Sequence, residues 1–405
     1  MKRLVLASCL LFSLILCATA QAESVALTPA HYQQLHKMSA FLNEDSETTS
    51  KQAAIILGEE IFQQDKGSPK QQAFVRAFVA RALAQIYQQQ NETKKALAQL
   101  KAVINKDAEF LDTPSLQATR WLLVHLLTGE GEYQAALNQL EIWWQQQEQQ
   151  KEPPKAEALY LRAALLAQLE RWQAAEPWLV AALKVRQPDS WLSLGVAIYQ
   201  RQEKWLKAAE LQRQRLALAP EKSQLWQQLA QLQLLAGMDK QALVTLELAY
   251  AGQHLNPKET LQLARRLLAD QQPLRAAAIF EQLLTAAPKN LKLHQYASQA
   301  WLQTSNQPAT QQALERLAQF TQATHDWQRL GDWHFSQGNW QAAVTAWQKM
   351  ADKLEGKEKA RLELLIANAY IEMRAYDLAK PVLENLLASN EAAAAKQWLN
   401  YLKAL

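Results

Sequence analysis

The side chains best suited to hold a metal or move a proton near neutral pH are seven histidines: His31, His36, His125, His254, His294, His325 and His334. They are scattered along the chain. His31 and His36 are five apart, whereas two ligands on one helical face need a spacing of about three or four. No His-Glu-x-x-His run occurs. Both cysteines, Cys9 and Cys17, fall in the first apolar stretch, so the rest of the chain has no thiol nucleophile, disulfide or cysteine-metal site. Gly129 and Gly131 sit in a helix-to-helix turn and not in the strand-to-helix turn that cradles phosphate. No Gly-x-Ser-x-Gly elbow is present. These residues predict no cofactor, no metal, no catalytic residue and no enzymatic activity.

Tryptophan is the other residue type with chemical reach, and there are 14. Aromatic faces stack on sugars and on peptide side chains, but they also fill cores. Trp191, Trp226, Trp327 and Trp347 recur in one sequence context and are expected in the core. Trp121, Trp144 and Trp333 fall off that pattern and are read as contact residues.

The elements behind these residues are helices. The chain has only 10 Gly and 13 Pro, and long tracts of Ala, Leu, Gln, Glu and Lys favour helix throughout. A pattern recurs: an aromatic, then Leu with a small residue, a turn, then Ala followed by large and small residues. It is clearest at Trp191, Gly195, Ala208 and Pro220, again at Trp226, Ala230, Gly237 and Ala242, and again at Trp327, Gly331, Gly338 and Ala343. Weaker copies carry Ala84 and Ala96, Val124 and Ala136, Ala163 and Ala175, Ala264 and Ala276, Ala297 and Ala313, and Ala367 and Ala379. Pro220, Pro257, Pro273, Pro288 and Pro308 fall in expected turns, and Pro177 and Pro381 near the start of second helices.

These residues resemble the tetratricopeptide repeat, a helix-turn-helix of about 34 residues. The resemblance implies an all-α, right-handed superhelical solenoid of about ten hairpins with a C-terminal capping helix. The expected organisation is a degenerate hairpin over 23–66, divergent and widely spaced hairpins over 67–154, a regular array over 155–390 and the cap over 391–405. Longer connections at Asn105 to Pro114 and Gln145 to Pro154 are expected to absorb the wide early spacing.

In such an array the first helices line an inner wall. The position after each first-helix aromatic, and the one four residues later, should face it. That reading gives Arg81, Gln85, Trp121, His125, Tyr160, Leu192, Val196, Gln227, Gln231, Arg265, Gln328, Asp332, Leu364 and Asn368, with Tyr199 and Phe335 one turn on. Amides and aromatics with isolated charges suit an extended peptide or a partner helix. The Lys and Asn clamp by which related cytosolic repeats hold a carboxylate is missing.

The chain begins with Lys2 and Arg3, an apolar run from Leu4 to Cys17, and Ala20-Gln21-Ala22. That is the layout of a signal peptide cleaved before Glu23, since the run is shorter than the roughly 20 residues of a spanning helix. Leu6-Ala7-Ser8-Cys9 resembles an acylation box, but only Leu4 and Val5 separate it from Arg3. The expectation for 1–22 is a cleavable leader and a periplasmic mature chain with no integral span; the alternative is an uncleaved inner-membrane anchor. Without Lys2 and Arg3, the balance of 43 basic against 39 acidic residues is close to neutral, which argues against nucleic acid as a partner.

Taken whole, the chain resembles the exported tetratricopeptide proteins found with TonB-type energy-transduction systems. The likeness rests on the leader, on Leu27-Thr28-Pro29, on the long array and on Lys396-Gln397-Trp398-Leu399-Asn400-Tyr401. It implies an accessory role beside TonB and its ExbB/ExbD-like motor, with an extended proline-rich envelope segment as ligand. It transfers no catalytic residue. The alternatives are a scaffold for polysaccharide export or outer-membrane assembly, and a peptidoglycan-active enzyme.

Overall fold

The computed structural model describes residues 25–43, 48–64, 66–149 and 155–404. The leader expected at 1–22 lies outside them. Every regular element among the described residues is an α-helix. Ten antiparallel hairpins follow one another: α1 (Pro29–Asn43) with α2 (Thr48–Gln63), α3 (Pro69–Gln89) with α4 (Thr93–Asp107), α5 (Thr113–Gly129) with α6 (Tyr133–Gln149), α7 (Ala156–Gln168) with α8 (Trp172–Val185), and α9 (Asp189–Arg201) with α10 (Trp205–Leu218). Then come α11 (Ser223–Leu235) with α12 (Asp239–Ala251), α13 (Pro257–Ala269) with α14 (Pro273–Ala286), α15 (Leu291–Leu302) with α16 (Gln307–Thr321), α17 (Thr324–Ser336) with α18 (Trp340–Ala351), and α19 (Gly356–Glu372) with α20 (Tyr376–Leu386). A final helix, α21 (Ala392–Ala404), lays Ala395, Trp398, Leu399 and Leu402 against the last hairpin. The described residues thus form an all-α array of helix-turn-helix hairpins, as the repeat pattern predicts. It divides into two compact units, Met1–Leu218 and Ala219–Leu405.

Within each unit the repeat alanines and glycines are where helices touch. All the small residues of the first-helix series, from Ala84 through Gly195 and Gly331 to Ala367, are buried. So are all their second-helix counterparts, from Ala96 to Ala379, at 0–2% exposure. The approach is closest at two glycines. A Cβ at Gly195 would lie 2.4 Å from Leu211 Cδ1, and one at Gly331 would lie 2.2 Å from Trp347 Nε1. Absence of a side chain there lets the large residue of the second helix lie on the first helix's backbone, the ridge-into-groove fit that sets helix separation. Trp191, Trp327 and Trp347 are buried, as expected, while Trp226 is half-buried and donates from Nε1 to the Pro220 carbonyl at 2.8 Å.

Eight of the first helices are stopped by a recurring device. In the turn, Asn91, Gly131, Glu170, Glu203, Gly237, Gln271, Gly338 and Arg374 take positive φ between 56° and 80°. The next backbone N–H then reaches back to the last turn, as Lys204 to the Tyr199 carbonyl (2.9 Å) and Gln272 to the Leu267 carbonyl (2.9 Å). This is the left-handed cap that satisfies helix carbonyls and reverses the chain. Helix starts are fixed by side chains where a connection is tight. Ser68 with Gln71 and Asn256 with Glu259 form capping boxes, each followed by proline at the first helical position.

Two expectations need correction. Wide early spacing is taken up mainly by longer helices, 21 residues in α3 and 17 in each of α5 and α6, against 12 to 15 from α7 to α18. Asn105 to Asp107 and Gln145 to Gln149 are accordingly helical. Pro177 and Pro381 lie inside α8 and α20, beyond the first turn. Both are exposed, so the carbonyl left without an N–H donor sits on a wet face and not in the core.

Candidate functional site

First helices of neighbouring hairpins are joined by the side chains that the sequence places on the inner wall, and this sorts the candidates. In the first unit Arg81 donates from Nη1 to the Ser115 carbonyl and to Thr119 Oγ1, both at 3.1 Å, fastening α3 to α5. Burial lowers its pKa, with Asp112 acting the other way. Gln85 is half-buried beside it on α3. Trp121 is half-buried between His125 and Trp143, with ring centroids 4.9 Å from each. His125 reaches solvent, but its enclosed setting lowers its pKa below 6.5. Tyr160 stacks on Trp191 at 4.8 Å across α7 and α9, and burial raises its pKa.

Leu192, Val196 and Tyr199 are buried, Tyr199 at 6% exposure under Lys207, and none of them forms part of an open wall. The physical reason is phase: on α9 the solvent stripe runs through Ser190, Ala197 and Arg201, about 150° around the helix from the expected one. Trp144, expected as a contact residue, is also core, set edge-on to Trp178 at 5.4 Å. Arg162 lies 3.9 Å over the Trp178 ring and pairs with Glu141 at 3.3 Å.

In the second unit Gln231, Arg265, Gln328 and Asp332 are exposed, whereas Gln227, Leu364 and Asn368 are half-buried. Arg265 sits 5.6 Å over Tyr296, joining α13 to α15. Asp332 accepts a hydrogen bond from Trp347 Nε1 at 3.1 Å; burial raises its pKa, opposed by that bond and by Arg361 on α19. Phe335 is half-buried against Trp340 and Trp347, a packing role more than an open one. Trp333 is half-buried and edge-on to His334. His334 is buried, which lowers its pKa, with Glu315 opposing.

The spacing rule passes over one exposed row. Gln262, Gln295 and Arg329 each stand two residues before the small residue of their first helix, Ala264, Ala297 and Gly331, and all three are open to solvent. Their recurrence once per hairpin is the signal that could have found them. Among the described residues no three of His, Cys, Asp or Glu come together as a metal-binding group, and no helix is long and apolar enough to cross a membrane.

No family model matches the chain, and no curated protein matches it. Solved structures with similar helical stacking include a tetratricopeptide repeat protein from Parabacteroides merdae, at 15% identity and a TM-score of 0.39, over 72% of this chain and 99% of that one. MamA from Desulfovibrio magneticus aligns at 19% identity and a TM-score of 0.36, over 44% of this chain and 94% of its own. The Naa15/Naa10 complex bound to HypK aligns at 13% identity and a TM-score of 0.45, over 88% of this chain and 58% of that one. The fold assignment rests on the hairpins themselves and not on these likenesses.

Proposed function

We propose that this protein is a protein–protein interaction scaffold that binds an extended segment of a partner along its first-helix faces and catalyses no reaction. The observation that carries this reading is an exposed polar side chain one residue after the small residue of the first helices α11, α13 and α17, at Gln231, Arg265 and Asp332. Exposed amides offer both donors and acceptors to a partner backbone, and a half-buried ring such as Tyr296, under Arg265, supplies apolar area.

In its finer form the scaffold works in the periplasm as an accessory to a TonB/ExbB/ExbD-type system. The signal-peptide layout of residues 1–22 and the opening and closing segments support that version. The test is photocrosslinking in intact cells from Gln231 and Gln328, with Ala278, exposed on the second helix α14, as the comparison site. Capture of a TonB-system protein from the first-helix sites is expected. Capture of polysaccharide-export or outer-membrane assembly proteins there would overturn the finer version, and capture from Ala278 alone would overturn the choice of face.

A further inference from the structure

Among the described residues, five cations on the first helices α13, α15 and α17 of the second unit stand outside any ion pair. Lys258, Arg265 and Arg266 on α13, Lys292 on α15 and Arg329 on α17 are all exposed, and among the described residues none has a carboxylate within ion-pair distance. Carboxylates on the same helices are already engaged. Glu259 accepts from the Asn256 backbone N–H at 2.9 Å, buried Asp326 accepts from Thr321 Oγ1 at 2.6 Å, and Asp332 accepts from Trp347. On the second helices Glu247 on α12 pairs with Arg275 on α14 and Glu281 on α14 with Arg316 on α16, each at 2.6 Å, while Lys240 on α12 and Lys349 on α18 are exposed and in no ion pair among the described residues.

Exposed amides lie between the free cations. Gln262, Gln295, Gln299 and Gln328 make no side-chain hydrogen bond among the described residues. Since Gln262, Gln295 and Arg329 share one repeat position, an amide or guanidinium recurs once per hairpin across α13, α15 and α17. The Arg265–Tyr296 contact ties the first two of these helices together on this side. Packed helices lie about 8–10 Å apart, and an extended chain advances about 3.3 Å per residue. A strand passing from α13 to α15 would therefore meet one such side chain at roughly every third residue.

From this geometry we infer that the face formed by α13, α15 and α17 docks an extended acidic segment of another protein. Amides serve the segment's backbone, and the unpaired guanidinium and ammonium groups take its carboxylates. The inference rests on the proposed function, because it assumes that first-helix faces are where partners bind, and it adds the chemistry of the partner.

The experiment is fluorescence anisotropy on the full chain with a labelled peptide of about 12 residues alternating Glu and Ser, long enough to cross three first helices. A Lys–Ser peptide and an oligothymidylate of similar length serve as rivals. The Glu–Ser peptide is expected to bind most tightly, and more weakly as salt is raised. The double variant R265E/R329E should lose about tenfold or more in affinity, while R275Q on the second helix changes little and circular dichroism stays helical for both. Equal or tighter binding of the Lys–Ser peptide or the oligothymidylate would overturn the inference, as would unchanged affinity in the double variant. Should Gln231 and Gln328 crosslink a partner in cells while the Glu–Ser peptide shows no preference, the acidic ligand falls and the scaffold stands.

Discussion

Arg120 on α5 occupies the register position that Trp191, Trp226 and Trp327 fill in other hairpins. It is buried at 8% exposure, its Nε and Nη1 have no hydrogen-bond partner, and burial lowers its pKa. An ionised group removed from water without a counter-charge is a net cost. Arg120→Met is therefore expected to stabilise the protein by about 1–3 kcal/mol, read as a higher urea midpoint at unchanged m-value; a lower midpoint would show that the guanidinium is well served where it lies. His334 gives the second residue-scale prediction. Burial holds its folded pKa below the unfolded value near 6.5, so the unfolded chain binds the proton more readily. Its contribution to stability is then complete above about pH 6.5 and is lost as pH falls from there toward the lower folded pKa. The urea midpoint should drop between about pH 7.5 and about pH 5.5, and less steeply in His334→Gln; His125, with a shift of the same sign, keeps the variant from being flat. Sequence spacing alone could locate Trp191 and Trp347 in the core because aromatic and small residues recur together. It could not mark Arg120 as buried, since nothing in its type suggests a tryptophan's place, and it misjudged Tyr199 because the open stripe of α9 lies nearly opposite the one the register implies.

At the scale of the element, hairpin count, the capping helix and the small-residue contacts were legible because burial imposes a strict period on residue size. Helix ends were less so. The left-handed turn residue is glycine in only three of the eight turns described above, and Glu170, Glu203, Gln271 and Arg374 carry the same backbone with no sequence mark. Each of these holds a conformation that costs an L-residue about 1 kcal/mol relative to glycine. The double variant Glu203→Gly/Gln271→Gly is expected to gain about 1 kcal/mol or more in stability, measured by thermal melting; no gain would mean that the two side chains hold contacts worth as much as the strain. The exposed row of Gln262, Gln295 and Arg329 was missed because it has no aromatic or apolar signature, only recurrence.

For the molecule as a whole, an array in which hairpins touch mainly their neighbours stores its stability locally. Trp347 is buried at 1% exposure beneath Gly331, and its removal is expected to cost about 3–5 kcal/mol. In Trp347→Ala, amide hydrogen exchange should accelerate most in α17 and α18, then in α16 and α19, and fade along the second unit. Uniform acceleration over that unit would indicate a single cooperative block instead. The recurring left-handed turn has a consequence of another kind. Because the reversal inside these hairpins has the same shape whether glycine, glutamate, glutamine or arginine stands there, each hairpin closes as a unit of its own, and since hairpins touch mainly their neighbours the chain can be lengthened or shortened by whole hairpins. Binding length then becomes a matter of copy number, and the span of partner that the protein can read could be altered by duplicating or excising hairpins, with no new fold to invent.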